Sequence, residues 1–168
     1  DFVNTNGTVM NVGLKEGSIT AEFYAGGIAG SNNGTIKNCY TDVTVKAKNS
    51  SNAGGIAGTN EGTITNCYSL GDVTSINIAG GIAGEINNGS ITYCFATGKI
   101  QGKYAGGIVC IRSSNSNINH CLALNTNGVT GTETDGIARI ASTVSGASIT
   151  LANYASPLIR GSWDNKGA

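Results

Sequence analysis

A chain of 168 residues with 26 glycines, one proline and a charged fraction of 12% has room for one domain with a real core. Its ten basic and ten acidic residues cancel without a Lys/Arg cluster, which sets nucleic acid and anionic membranes aside as partners. It contains no apolar run of roughly 18 residues and no secretory leader in its opening DFVNTNGTVM, so membrane insertion is not expected and the chain reads as a piece of a longer one.

In chain order, the first element is a partial unit, Asn6 to Val12 (NGTVMNV). The unit then appears whole as AGGIAGSNNGTIKNCYTDVTV from Ala25 and as AGGIAGTNEGTITNCYSLGDV from Ala53. A further copy, AGGIAGEINNGSITYCFATGKI, starts at Ala79, and a drifting one, AGGIVCIRSSNSNINHCLAL, at Ala105. The isoleucine after the paired glycines falls at Ile28, Ile56, Ile82, Ile108 and Ile137, in steps of 28, 26, 26 and 29. A fixed period in this range is the mark of a solenoid or propeller.

Val12, Cys39, Cys67, Cys94, Cys121 and Ala152 form one column through about six turns. Three positions earlier stand Val9, Ile36, Ile64, Ile91, Ile118 and Ile149, a β-branched column that must face inward. Its neighbours, such as Thr35 and Lys37 or Thr63 and Thr65, are mostly polar, the alternation of a half-buried strand. A third apolar piece recurs at Val45, Val73, Ile100 and Val129. Asn32-Asn33-Gly34, Asn60-Glu61-Gly62 and Asn87-Asn88-Gly89 read as sharp corners with left-handed backbone.

The expected fold is therefore all-β: a right-handed parallel β-helix of about six coils of about 27 residues, three short strands per coil, stacked about 4.8 Å apart. Its hand is inferred from the crossover rule for parallel strands. A leucine-rich repeat would need leucine inward and a helix, and a propeller blade a longer period. Residues 1–156 read as repeats, best matched over 25–100 and degenerate over 105–156, with Pro157 to Ala168 as a C-terminal cap or the start of a linker.

The unit AGGIAGxNxGTIxNCYxxGxV resembles the GLUG motif, whose proteins are bacterial surface or secreted chains, including haemagglutinin-type adhesins and regions flanking the protease domain of immunoglobulin A specific metallopeptidases. The resemblance implies an extracellular, cell-surface β-helical module and supplies no catalytic residues.

Strand alternation alone would turn the cysteine column outward. Its uniformly small apolar residues argue instead that Asn38 and Asn66 sit at a bend that resets the alternation, leaving Cys39, Cys67, Cys94 and Cys121 as stacked core thiols. Parallel Cβ atoms one coil apart exceed the spacing a bridge prefers, although bridging and metal binding stay open. Cys110 takes the place of Gly30, Gly58 and Gly84 and reads as core filler or reactive thiol. Asn11, Asn38 and Asn66 suggest a side-chain amide ladder, interrupted by Tyr93 and His120.

Asp42, Glu61, Asp72 and Glu85 are spread along the coils, without the converging pair a polysaccharide-cleaving β-helix needs; no enzyme activity and no cofactor or metal are expected. The functional lead is aromatic. Tyr40, Tyr68 and Phe95 follow the cysteine column, and Tyr24 and Tyr104 precede the paired glycines, an arrangement that on a flat face would contact sugar rings or a protein. The expected function is cell adhesion or a rigid stalk, with a host glycan, an extracellular protein or other domains of a longer parent chain as partners. The alternatives are a carbohydrate-active β-helix enzyme and a purely structural spacer beside a protease domain.

Overall fold

The computed structural model describes residues 2–49, 51–125 and 128–131. Over these residues the chain is a β-solenoid of five coils in which every strand pairing is parallel and one repeat stacks on the next in register. The expected sixth coil, with Ile137, Ile149 and Ala152, and the cap at 157–168 lie outside the described residues.

Each full coil has four walls, not three. The first wall stacks Phe2–Val3, Ala29–Asn32, Ala57–Asn60, Ala83–Ile86 and Val109–Arg112. The second stacks Thr8–Met10, Thr35–Lys37, Thr63–Thr65, Ser90–Thr92 and Asn117–Asn119. The third begins with the long strands Gly13–Ala21 and Tyr40–Ala47, then splits into Tyr68–Ser69 with Val73–Ser75, Phe95–Ala96 with Ile100–Gln101, and Leu122–Ala123 with Val129–Thr130. The fourth stacks Ala25–Gly26, Asn52–Gly54, Ile78–Gly80 and Tyr104–Gly106.

The extra wall comes from the paired glycines. Gly-Gly-Ile-Ala is not one strand but the tight corner between the fourth wall and the first. A Cβ on the first glycine would strike backbone across that corner, at 1.9 Å from the Ala57 carbonyl for Gly54 and 1.9 Å from the Ala83 carbonyl for Gly80. A Cβ on the second would strike the third wall, at Thr41 for Gly27, Ser69 for Gly55 and Ala96 for Gly81. Thr41, Ser69 and Ala96 are correspondingly small and buried, and the Thr41 hydroxyl donates to the Gly55 carbonyl at 2.8 Å. The cross-section is thus pinched at a waist, with two apolar columns on either side. One holds Ile36, Ile64 and Ile91 with the Cys column and Ile56, Ile82 and Ile108; the other holds Val45, Val73 and Ile100 with Ala53 and Ala79.

Both predicted apolar columns face inward, and Ile36, Ile64, Ile91, Val45, Val73 and Ile100 are fully buried. Each contributes about 1.5 to 3 kcal/mol by leaving water. Val9 and Ile118, in the first and last described coils, are only partly buried.

Corner geometry departs from the sequence expectation. At the Asn-Gly corners only Asn88 has positive φ, at 55°, and the glycines there serve close approach. A Cβ on Gly62 would lie 2.1 Å from the Gly34 carbonyl. Left-handed backbone is instead concentrated between the second and third walls, at Asn11, Asn38, Asn66, Tyr93 and His120, with φ from 51° to 57°. That bend resets strand alternation, so the inward Ile column is followed three residues later by an inward Cys.

Candidate functional site

The surface and core columns decide what this scaffold can present. Tyr40, Tyr68 and Phe95 stand in register on the third wall, with ring centroids 5.1 and 4.9 Å apart and planes within 12° and 10°. Below them Gly13 occupies the same column, and the Tyr40 ring lies over it, 2.2 Å from where a Cβ would be. Above them comes buried Leu122. The rings stack along the solenoid axis, so their faces cover one another and their edges look outward. Burial, with Tyr40 and Asp42 beside it, raises the Tyr68 hydroxyl above its ordinary range.

Tyr24 and Tyr104, expected to join these rings, belong to another column. Register places Asn52, Ile78 and Tyr104 in one fourth-wall column, and Tyr24 is the residue just before that wall's first strand, Ala25–Gly26, so two non-aromatic residues separate them. Lys103 lies over the Tyr104 ring, 5.0 Å from its centroid. The five aromatics therefore do not form one face.

Cys39, Cys67, Cys94 and Cys121 are buried thiols, not disulfides. Each Sγ donates to the carbonyl two residues earlier, at 3.2 Å for Lys37, Thr65 and Thr92 and 3.3 Å for Asn119. The hydrogen bond to Cys67, then burial, push the Cys39 thiol well above its ordinary range; burial, then Cys121 and Cys67, do the same to Cys94. For Cys67 burial raises the pKa, while hydrogen bonds from Cys39 and Cys94 draw it well below its ordinary value. Cys39 and Cys94 thus keep their protons in the core, where an anion would stand uncompensated. Cys110 is also buried, and burial lifts its thiol to about 11 against a hydrogen bond from the Ala79 backbone.

The amide ladder is present: Asn38 Nδ2 donates to Asn11 Oδ1 at 3.2 Å and Asn66 Nδ2 to Asn38 Oδ1 at 3.4 Å. Tyr93 and His120 continue the same left-handed column by stacking their rings, 4.9 Å apart. A second amide pair was read from sequence only as a corner. Asn32 and Asn60 are fully buried at the ends of first-wall strands, with Asn32 Nδ2 donating to Asn60 Oδ1 at 2.6 Å. Asn32 Oδ1 accepts the Gly34 N–H, and Asn60 Nδ2 reaches the Gly62 carbonyl. The signal was available, since Ile86 fills the same register position one coil later.

The carboxylates are spread over several walls. Glu61 accepts from Asn33 at one corner, and Glu85 accepts from Asn52 across the first and fourth walls. Asp42 and Asp72 share the third wall in neighbouring coils, offset by two residues, and Asp72 caps the Lys99 N–H at 2.8 Å. Among the described residues no group of three or more His, Cys, Asp or Glu side chains could hold a metal ion. Nor, among them, is any helix long and apolar enough to cross a membrane.

The GLUG motif matches residues 21–46, 49–74 and 77–101, which are the three middle repeats of the solenoid. No curated protein sequence matches the chain. The fold is similar to the crystal structure of a Bacteroides ovatus protein provisionally named an immunoglobulin A1 protease, with 26% identity and a TM-score of 0.56 over 81% of this chain. The match spans 48% of that protein.

Proposed function

We propose that this chain, built on three GLUG repeats, is a non-enzymatic extracellular module of a bacterial surface protein, a stiff stalk whose sides offer an adhesive surface. Its partners in this reading are other domains of a longer parent chain and a host glycan or extracellular protein. The observation that carries the reading is axial continuity. Apolar, thiol, amide and aromatic columns run from coil to coil, and among the described residues parallel ladders join coils on four walls. Such a rod resists bending because any tilt must break several ladders together. The similarity to half of a larger protein supports a role as one part of a multidomain chain. The name of that neighbour favours a position beside a protease domain.

The stalk reading is tested by distance. Thr8 and Asn117 lie in one column four coil steps apart, a separation of about 19 Å at about 4.8 Å per coil. Spin labels at Thr8→Cys and Asn117→Cys should give a single narrow distribution near that value. A broad or multimodal distribution would remove the stalk.

A further inference from the structure

Four asparagines in the chain are followed by glycine: Asn6, Asn33, Asn88 and Asn127. A glycine in that place leaves its backbone nitrogen unshielded by a side chain, so the nitrogen can close on the asparagine's own carboxamide. The fold treats these steps differently. The N–H groups of Gly7, Gly34 and Gly128 are engaged, by the Asn4 carbonyl at 2.7 Å, Asn32 Oδ1 at 3.2 Å and the Asn125 carbonyl at 2.9 Å. Asn127 itself lies outside the described residues. Gly89 donates to no acceptor among the described residues. In its coil Ile86 takes the register position of Asn32, and the Asn60 carbonyl below accepts from the Asn87 N–H instead. The Asn88-Gly89 step belongs to the fourth of the five described coils, with a stacked coil on each side.

We infer that Asn88 is a self-modification site, at which the chain deamidates through a succinimide with water as the only co-reactant. The Gly89 nitrogen attacks Cγ of Asn88, a solvent base takes the Gly89 proton, and the side-chain nitrogen leaves as ammonia. Water then opens either carbonyl of the five-membered imide, giving aspartate or isoaspartate, and nothing is oxidised or reduced. Asn88 is exposed, so ammonia leaves into solvent and water reaches the imide. Its Nδ2 has only a 3.4 Å contact with Asn87 Oδ1, whereas Asn33 is half-buried and its Nδ2 donates to the Glu61 carboxylate at 3.1 Å. Asn88 also has a φ of 55°, unlike Asn33; that region is sparsely populated by residues with a side chain, so rotation out of it relieves strain. The product adds a carboxylate to a chain of zero net charge. The isoaspartate form also threads an extra methylene into the main chain, where a Cβ on Gly89 would already lie 2.7 Å from the Gly62 carbonyl. That corner should loosen as isoaspartate accumulates.

The test is to age the folded 168-residue chain at mildly alkaline pH in heavy-oxygen water and map its peptides by mass spectrometry, with fragmentation that separates isoaspartate from aspartate. Asn88 should react about tenfold faster than Asn33, where the Gly34 hydrogen bond must break first. Each event should carry one heavy oxygen atom, both products should appear, and the rate should climb with pH. In urea, where the hydrogen bonds are gone, the two sites should react at similar rates. Asn88→Gln, which would have to close a six-membered ring, should leave this corner unmodified. Asn32→Ile removes the acceptor of the Gly34 N–H and should raise the rate at Asn33. If that variant does not fold, the ratio of Asn88 to Asn33 in the unchanged chain decides. Equal rates in the folded chain, an intact Asn88 while the urea-unfolded chain ages, aspartate without isoaspartate, or an unchanged Asn33 rate in folded Asn32→Ile would each overturn the assignment.

Discussion

Asn66 Oδ1 is buried without a hydrogen-bond partner, and the residue one coil above it, in the same left-handed corner position, is Tyr93. Each lower amide in that column receives an N–H from the residue above, Asn11 from Asn38 and Asn38 from Asn66. Tyr93 has no amide to give, so the row ends on an orphaned acceptor.

Tyr93→Asn should therefore stabilise the protein. The new amide would satisfy Asn66 Oδ1, and asparagine tolerates the 54° φ found at Tyr93 better than a bulky ring does. A gain of about 1 kcal/mol is expected, or about 2 to 4 °C in Tm. Loss of the ring contact with His120 offsets part of it. The double change Tyr93→Asn with His120→Asn extends the ladder and should exceed the single change in thermal denaturation.

The buried pair Asn32 and Asn60 should show strong coupling. Asn60→Ile leaves the Asn32 amide without its 2.6 Å acceptor and should cost about 1 to 3 kcal/mol. Isoleucine fits the column, as Ile86 shows one coil on. Changing both residues to isoleucine should cost less than the two single changes summed, by about 1 kcal/mol or more in a urea double-mutant cycle. Simple additivity would mean that the amides act independently.

Gly54→Ala and Gly17→Ala should separate crowding from backbone strain. The first places a methyl 1.9 Å from the Ala57 carbonyl at the waist corner and should cost about 3 kcal/mol or prevent folding. At Gly17 the added carbon meets nothing, and only the φ of 116° opposes it. A loss of about 1 kcal/mol is expected there. Soluble yield and Tm, measured side by side, give the comparison.

Stability should fall above pH 9. The Cys110 thiol ionises near 11 in the folded chain against 9.0 ordinarily, and Cys39 and Cys94 are also raised. Between those values the unfolded chain has already lost protons that the folded chain keeps. The folded state is then penalised as pH rises, by up to about 1.4 kcal/mol per pH unit for each thiol. Stability from these groups is fully present below pH 9 and is lost progressively through about pH 11 for Cys110. Urea midpoints across this range should drop, and Cys110→Ala should flatten the first part of the slope.

The aromatic lead shows the limit of reading columns from sequence. Register alone put Tyr40, Tyr68 and Phe95 together, and they are together. Whether their faces or their edges meet solvent depends on side-chain torsions along the axis, which no spacing encodes. Tyr24 and Tyr104 share a sequence context, yet they sit three coil steps apart with Asn52 and Ile78 between.

What the chain determines by itself is the axial order. A period of about 27 residues, an inward Ile column and an inward Cys column all follow from identities that recur in one dimension, because parallel stacking places each residue on its own copy. The tertiary structure decided the cross-section. Four walls, the waist where Gly55 meets Ser69, and the choice of which corner turns left-handed depend on contacts between different positions of the repeat. Glycine permits both a left-handed turn and a close approach, and only the packed walls select between them.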